Sequence, residues 1–180
     1  DFHRRGKRAE EQLSLLRRLW GGQTLSSHVG AIGPVSPRPG GPELLIGGYV
    51  PAIVQRIAKW GDGYMAPGGG EPEAMRRMWR DIEHAWRQAG RSGKPRWVGA
   101  SYYALGPHAT EHATRYINAN YRYNPELAAN RLRTLPASAA AVQEAIQRQA
   151  DMGVDEFILR PCAEDLDQMD LLAEIAARLS

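Results

Sequence analysis

Strand-like and helix-like segments alternate along this chain, and the alternation restricts its fold more than any other feature. After an opening helical segment come four short apolar runs, each followed by a helical pattern; we predict strands at 43–46, 64–65, 97–105 and 156–160. Strands that alternate with helices pair in parallel, and the helices cover the sheet. We therefore predict an α/β fold, in which four strand–helix units form half of an eight-unit (β/α)8 TIM barrel with outer helices.

The helical segments are predicted from apolar residues at helical spacing and from their end signals. We place them at 5–20, 51–60, 71–89, 109–121, 124–133, 138–153 and from 165 onward. Ser138 can cap the sixth helix, and Gly153 can end it. Asp165 and Gln168 have the spacing of a capping box for the last helix. On that helix the residues expected to face inward are Met169, Leu172, Ile175 and Leu179.

The segment between the first helix and the first strand, residues 23–42, is rich in proline and glycine. It is longer than most connections in compact domains, so we expect a functional or covering loop. The chain has 180 residues, which is enough for one domain but below the usual size of a complete α/β barrel. We predict a single half-barrel domain over residues 1–180, the C-terminal half, with the N-terminal half absent.

Charge and composition argue against several kinds of partner. The net charge is +3, and the basic residues near the start are not interleaved with aromatics, so nucleic-acid binding is not expected. No apolar run approaches the roughly 20 residues that cross a bilayer, so we expect no membrane contact. Cys162 is the single cysteine, which excludes an intrachain disulfide and fits a cytoplasmic protein.

Several segments, in order along the chain, carry a family resemblance. They are Arg5-Gly6 followed by EQLSLLRRLWG at 11–21, PELLIGG at 42–48, AKWGDG at 58–63, GVDEFILRP at 153–161 and DLDQMDLLA at 165–173. Together they resemble the luciferase-like monooxygenases, whose fold is a (β/α)8 barrel of about twice this size.

The resemblance implies a redox enzyme that uses reduced FMN with oxygen, or a deazaflavin (coenzyme F420) for hydride transfer to or from a small-molecule substrate. It also implies a phosphate site made by backbone amides after the first strand. Carried over, that site comprises Gly47, Gly48, Tyr49, Val50, Pro51 and Ala52. Glycines permit close approach of an anion, and the next helix offers free N–H groups. A tight strand-to-helix turn without a ligand is the alternative interpretation.

No catalytic residue can be assigned, because the resemblance places the principal catalytic side chains in the other half of the barrel. Two functions therefore stay open. The chain is part of a flavin- or deazaflavin-dependent oxidoreductase, or it is a truncated, non-catalytic relative that binds flavin or serves as an oligomeric structural protein.

Three other groups of residues could bind a metal or a ligand, but for each of them a structural role is the preferred interpretation. The spacing of His108, Glu111 and His112 matches a zinc motif, but it follows a Gly-Pro turn and predicts an exposed helix start, so no metal site is expected. Asp62 is interpreted as a turn residue at the carboxyl end of a short strand.

At the mouth of the last strand, a salt bridge from Arg160 to Asp155 or Glu164 is preferred over ligand binding. Cys162 is interpreted as incidental. Half a barrel leaves unpaired sheet edges and an apolar inner face, expected to involve Leu44, Ile46 and Ile158. The partner that closes the barrel is predicted to be the missing half or a second copy.

Overall fold

The computed structural model of the protein describes residues 2–179, and its elements follow the predicted alternation. A 3-10 turn at Phe2–Arg4 precedes the first helix. The helices are α1 Arg5–Trp20, α2 Ala52–Trp60, α3 Pro72–Gln88, α4 Ala109–Asn120, α5 Pro125–Thr134, α6 Ala139–Met152 and α7 Asp167–Ala177. The strands are β1 Leu45–Gly47, β2 Gly63–Met65, β3 Arg96–Tyr103 and β4 Glu156–Pro161.

The four strands form one parallel sheet in the order β1-β2-β3-β4. A doubly wound sheet would reverse its strand order at a switch point, whereas strands that follow one another in sequence order are those of a barrel wall. The predicted fold class is confirmed, as a parallel α/β sheet with outer helices that forms part of a barrel.

One face of the sheet packs against the helices and contains the main core. Ile46, Tyr64 and Trp97 are aligned across three strands, and all three are buried in a cluster with Ile53 and Ile57 of α2. The ring of Trp97 also stacks on Trp79 of α3, with centroids 4.7 Å apart. This layer fixes α2 and α3 on the outer side of the sheet.

The opposite, concave face differs from the sequence prediction. Because side chains alternate along a strand, Ile46 and Leu44 belong to the helix-facing side, and both contact the cluster that includes α2. Their assignment to the inner face was wrong. Ile158 lies on the concave face as predicted, in register with the buried Ala100.

Helices α4 and α5 cover the carboxyl ends of the last two strands. Their apolar residues form a second cluster with Ala104, which follows β3, and Cys162, which follows β4. Tyr102 contacts the same cluster from the concave face. This placement brings side chains of α5 to the end of the sheet at which barrel enzymes bind their ligands.

The last helix corrects two predictions. Gln168 does not complete a capping box, because its side-chain amide exchanges two hydrogen bonds, each 2.9 Å long, with the backbone of Leu105. Met169 and Leu179 are exposed, while Ile175 is buried as predicted. The Ser138 cap and the left-handed Gly153 of α6 are confirmed.

Within residues 2–179 none of the helices combines the length and apolarity that crossing a bilayer requires.

Candidate functional site

The turn between β1 and α2 lies at the carboxyl end of the sheet and contains every residue predicted to bind a cofactor. Gly48 has φ +145°, and a β-carbon there would come within 3.1 Å of Ile53 Cγ2. A β-carbon on Gly47 would lie 3.1 Å from the Met65 carbonyl oxygen. The backbone conformation at Gly48 therefore favours glycine, and a side chain at either position would crowd its neighbour.

The backbone N–H groups of this turn are available to a ligand. The N–H groups of Ile53 and Val54 donate to the carbonyl oxygens of Val50 and Pro51, at 3.0 Å each. Across residues 2–179 the structure provides no acceptor for the N–H groups of Tyr49, Val50 and Ala52. Pro51 has no N–H to offer. The three free donors stand at the positive end of α2, which is the arrangement that binds a phosphate group.

Two tyrosine hydroxyls hold the turn in place. Tyr64 donates to the carbonyl oxygen of Gly48 at 3.1 Å, and burial raises the pKa of Tyr64 to about 12. The hydroxyl of Tyr49 donates to the carbonyl oxygen of Gly68 at 3.2 Å and accepts a hydrogen bond from Arg131 of α5. The turn after β1 is thus tied to the loop after β2 and to α5.

Beyond Tyr49, two arginines and two tyrosines form a continuous row at the carboxyl end of the sheet. We call it the arginine–tyrosine array; its members, in order of contact, are Arg131, Tyr121, Tyr102 and Arg160. The Arg131 guanidinium carbon lies 5.8 Å from the centre of the Tyr121 ring. The rings of Tyr121 and Tyr102 meet edge to face at 6.3 Å, with 3.5 Å between their hydroxyls.

The array ends on Arg160, whose guanidinium carbon lies 4.5 Å from the centre of the Tyr102 ring. The predicted salt bridge from Arg160 to Asp155 or Glu164 is wrong. Asp155 lies at the other end of β4, where it pairs with Lys94 at 2.6 Å. The geometric reason is that residues 155 and 160 stand at opposite ends of one strand.

Asp62 also lies at the amino end of the sheet, before β2 and not after a strand, which corrects its predicted position. Its structural role is confirmed, although its partners come from distant segments. The carboxylate accepts from the Leu44 N–H at 2.8 Å and pairs with Arg17 at 2.9 Å and Arg38 at 3.0 Å. Burial alone would raise the pKa of Asp62, but these bonds outweigh it and the pKa lies below its ordinary value of 3.8.

The loop 23–42 is bound to the same end of the sheet through Arg38 and through the carbonyl oxygen of Gly40, which accepts from Arg17 at 3.0 Å. An ion network on the concave face lies nearby, in which Arg96 pairs with both Glu43 and Glu156. The charged groups at the amino end therefore bind one another.

The two remaining candidates lie apart from the turn. His108 and Glu111 are exposed at the start of α4, with 3.7 Å between the His108 Nδ1 and a carboxylate oxygen of Glu111. Nowhere in residues 2–179 do three or more metal-ligating side chains gather. Cys162 is buried, and burial raises the pKa of its thiol to about 11.

The sequence interpretation missed Arg131 and Tyr121 altogether. Both lie in segments whose sequence pattern is typical of an amphipathic helix, and nothing in their spacing marks them as site residues. The contact between Tyr49 and Arg131 joins residues 82 positions apart. Only the packing of α5 over the sheet reveals it.

A family model described as luciferase-like monooxygenase matches residues 1–169. Solved structures share the fold at low identity. A monooxygenase from Streptomyces bottropensis, RslO1, is 19% identical with a TM-score of 0.68; the match covers 99% of this chain and 62% of that one. An F420-dependent secondary alcohol dehydrogenase, solved with an F420–acetone adduct, is 17% identical with a TM-score of 0.66, covering 92% and 59%.

A third structure, the coenzyme F420-dependent tetrahydromethanopterin reductase from Methanopyrus kandleri, is 13% identical with a TM-score of 0.61, covering 92% of this chain and 60% of that one. The chain thus spans about three fifths of the length of these proteins. A search of the curated proteins found no match.

Proposed function

Because the chain belongs to the luciferase-like monooxygenase family, we propose that it is part of an oxidoreductase that uses FMN or the deazaflavin coenzyme F420. The observation that carries the proposal is the turn at 47–52, with three free backbone N–H groups at the positive end of α2. Solved structures of the same fold include enzymes named for F420.

The residues of the turn fit the phosphate group that FMN and F420 share. Gly48 has a positive φ, and a β-carbon there would crowd the buried Ile53, so a glycine lets the turn keep this path close to the start of α2. The N–H groups of Tyr49, Val50 and Ala52 would hold the phosphate oxygens. Pro51 contributes no donor, so its role is to fix the first turn of α2.

A bound cofactor of either kind supplies a hydride or, in the case of reduced FMN, electrons for oxygen. The residues described above bind and orient it, and no side chain among them is assigned to proton transfer. The substrate is proposed to be a small molecule bound beside the cofactor at the carboxyl end of the sheet.

A second candidate is a non-catalytic relative that binds flavin or has an oligomeric structural role. The observation that favours it is that β1 and β4 are edge strands, to which a second copy of the chain could pair. This candidate predicts cofactor binding or self-association without turnover.

The test is an absorbance titration of the purified protein with FMN, riboflavin and F420. We expect saturable binding of FMN or F420, and weaker binding of riboflavin, because riboflavin lacks the phosphate that the turn would hold. Flavin and deazaflavin spectra differ, so the same scan identifies the preferred cofactor. Equal affinity for FMN and riboflavin would contradict the phosphate site, and no binding of any of the three would contradict the function.

We also propose that the concave face is closed by additional chain, either an N-terminal half of the barrel or a second copy. The half-buried Ile158 and the two edge strands, β1 and β4, support it. Sedimentation of the 180-residue chain should show association. A monodisperse monomer that unfolds cooperatively would disprove closure by a partner.

A further inference from the structure

We propose that the arginine–tyrosine array is a second anion site, which takes the carboxylate or phosphate group of the substrate. The inference rests on the proposed function in one respect, namely that the bound anion belongs to the substrate. We assign it to the substrate because the array lies beside the turn that would hold the cofactor. The binding of an anion by the array is independent of that function and can be measured alone.

Arg131 provides the strongest argument. The residue is only 9% exposed, and its Nε has no hydrogen-bond partner among the described residues. Among residues 2–179 it takes part in no ion pair; its described partners are the Tyr49 hydroxyl and the Tyr121 ring. A buried guanidinium without a counter-charge is unfavourable, and an anionic ligand would remove that cost.

The Arg131 guanidinium packs closely against the loop after β2. Gly69 has φ +74°, and a β-carbon there would lie 2.5 Å from a guanidinium nitrogen of Arg131. The Tyr49 hydroxyl that accepts from Arg131 is itself bound to the carbonyl oxygen of Gly68. The loop after β2 therefore contacts the Arg131 guanidinium both directly and through Tyr49.

Arg160 supplies the other end of the site. It is in register with Tyr102 on the concave face, and its guanidinium lies over the Tyr102 ring. A guanidinium that lies over an aromatic ring keeps the N–H groups at its edge free for a carboxylate or phosphate. Arg160 is exposed, and none of the described residues forms an ion pair with it.

The tyrosines between the arginines also favour the binding of an anion. Burial and the hydrogen bond with Tyr121 raise the pKa of Tyr102 to about 12, so its hydroxyl is neutral at physiological pH. A neutral phenol can donate a hydrogen bond to an oxyanion and does not repel it. The Tyr121 hydroxyl donates to the Tyr102 hydroxyl, so the array combines two cations with one neutral donor, the Tyr102 O–H.

The experiment is a titration with inorganic phosphate, followed by calorimetry or by ³¹P NMR, in the presence and absence of saturating FMN. The variants are Arg131→Gln and Arg160→Gln. Arg122→Gln is the matched control, because Arg122 is an exposed arginine close to the array in sequence. We expect phosphate affinity to fall about tenfold or more in each array variant and to stay unchanged in the control.

Two outcomes would overturn the proposal. The first is equal phosphate affinity in the wild type and both array variants. The second is loss of phosphate binding when FMN is bound, which would assign the anion site to the cofactor phosphate. If FMN does not bind at all, the proposed function fails, and the titration without FMN still decides whether the array binds an anion.

Since Arg131 is buried, its replacement could unfold the protein. Arg131→Lys keeps the charge and loses the planar fork, so it should weaken phosphate binding less than Arg131→Gln does. Arg160→Gln changes an exposed residue and gives the decisive result if neither Arg131 variant folds. Unchanged phosphate affinity in a folded Arg160→Gln protein would then disprove the site.

Discussion

The two ends of the sheet use charge in opposite ways. At the amino end, Asp62 pairs with three arginines (Arg17, Arg38 and Arg91), Asp155 pairs with Lys94, and Arg96 pairs with two glutamates. At the carboxyl end, three backbone N–H groups find no acceptor within residues 2–179, and two arginines contact tyrosine rings. The amino end satisfies its own charges and so stabilises the fold. The carboxyl end does not, and in barrel enzymes this is the end at which ligands bind.

The comparison predicts that changes at the amino end reduce stability and that changes at the carboxyl end reduce binding. The largest effect is expected for Asp62→Ala. This change leaves Arg17 and Arg38 without their carboxylate and the Leu44 N–H without its acceptor, and it should lower the free energy of unfolding by about 3 kcal/mol. Urea denaturation followed by circular dichroism measures the loss.

Asp81→Ala is the control for that experiment, because Asp81 is exposed on α3, and it should change the free energy of unfolding by less than about 0.5 kcal/mol. A similar loss in both variants, or none in Asp62→Ala, would show that the amino end does not stabilise the fold through this carboxylate.

The next effect concerns the carboxyl end. Ala52→Glu places a negative charge beside the free N–H groups of the turn, and it should abolish binding of FMN or F420 while the fold is kept. The fold is expected to survive because Ala52 is exposed and an acidic residue is favourable in the first turn of a helix. Absorbance titration measures the affinity.

Ala52→Gln separates charge from size in the same titration. It should retain most of the cofactor affinity, because its side chain is neutral, although it is as large as that of glutamate. If both variants bind the cofactor as tightly as the wild type does, the turn is only a connection between β1 and α2.

A smaller effect is expected from acid. The pKa values of Asp62 and Asp155 lie below the ordinary value of 3.8, so both groups are more acidic in the folded than in the unfolded protein. Their contribution to stability is complete above about pH 4 and is lost as the pH falls through the folded pKa values. Urea midpoints measured from pH 7 to pH 2 should show this loss, and Asp62→Asn should reduce it. An identical acid profile in that variant would contradict the assignment.

The smallest effect is expected for the double change of His108 and His112 to Ala. His108 is exposed, and the ring of His112 is hydrogen-bonded to the exposed side of α4 through Arg115, at 3.1 Å. Stability and metal content should stay within error of the wild type. Stoichiometric zinc in the wild type, measured by elemental analysis and lost in the double variant, would show that a site outside the sheet had been overlooked.

The sequence predicted the elements of the fold well because their signals are local. Apolar spacing located α1 and α3, and the capping role of Ser138 follows from its position before α6. The parallel order of the strands followed from the alternation itself. Gln168 was misassigned because the capping-box pattern describes a local bond, whereas its amide binds Leu105, 63 residues away.

The site was predictable only in part for the same reason. The turn at 47–52 is a contiguous segment with a recognisable pattern, so it could be named from sequence. The prediction that it binds a cofactor awaits the titration. The array draws its residues from β3, the end of α4, α5 and β4, and no pattern in the sequence links Arg131 to Tyr49 or Arg160 to Tyr102.

The 82-residue separation between Tyr49 and Arg131 has a consequence for the order of folding. Contacts between residues distant in sequence close large loops, and they form after the neighbouring strand–helix units have assembled. During synthesis, which proceeds from the N-terminus, the turn after β1 is complete long before α5 emerges from the ribosome. The contact between Tyr49 and Arg131 can therefore form only after α5 has been synthesised, well after the turn that it stabilises.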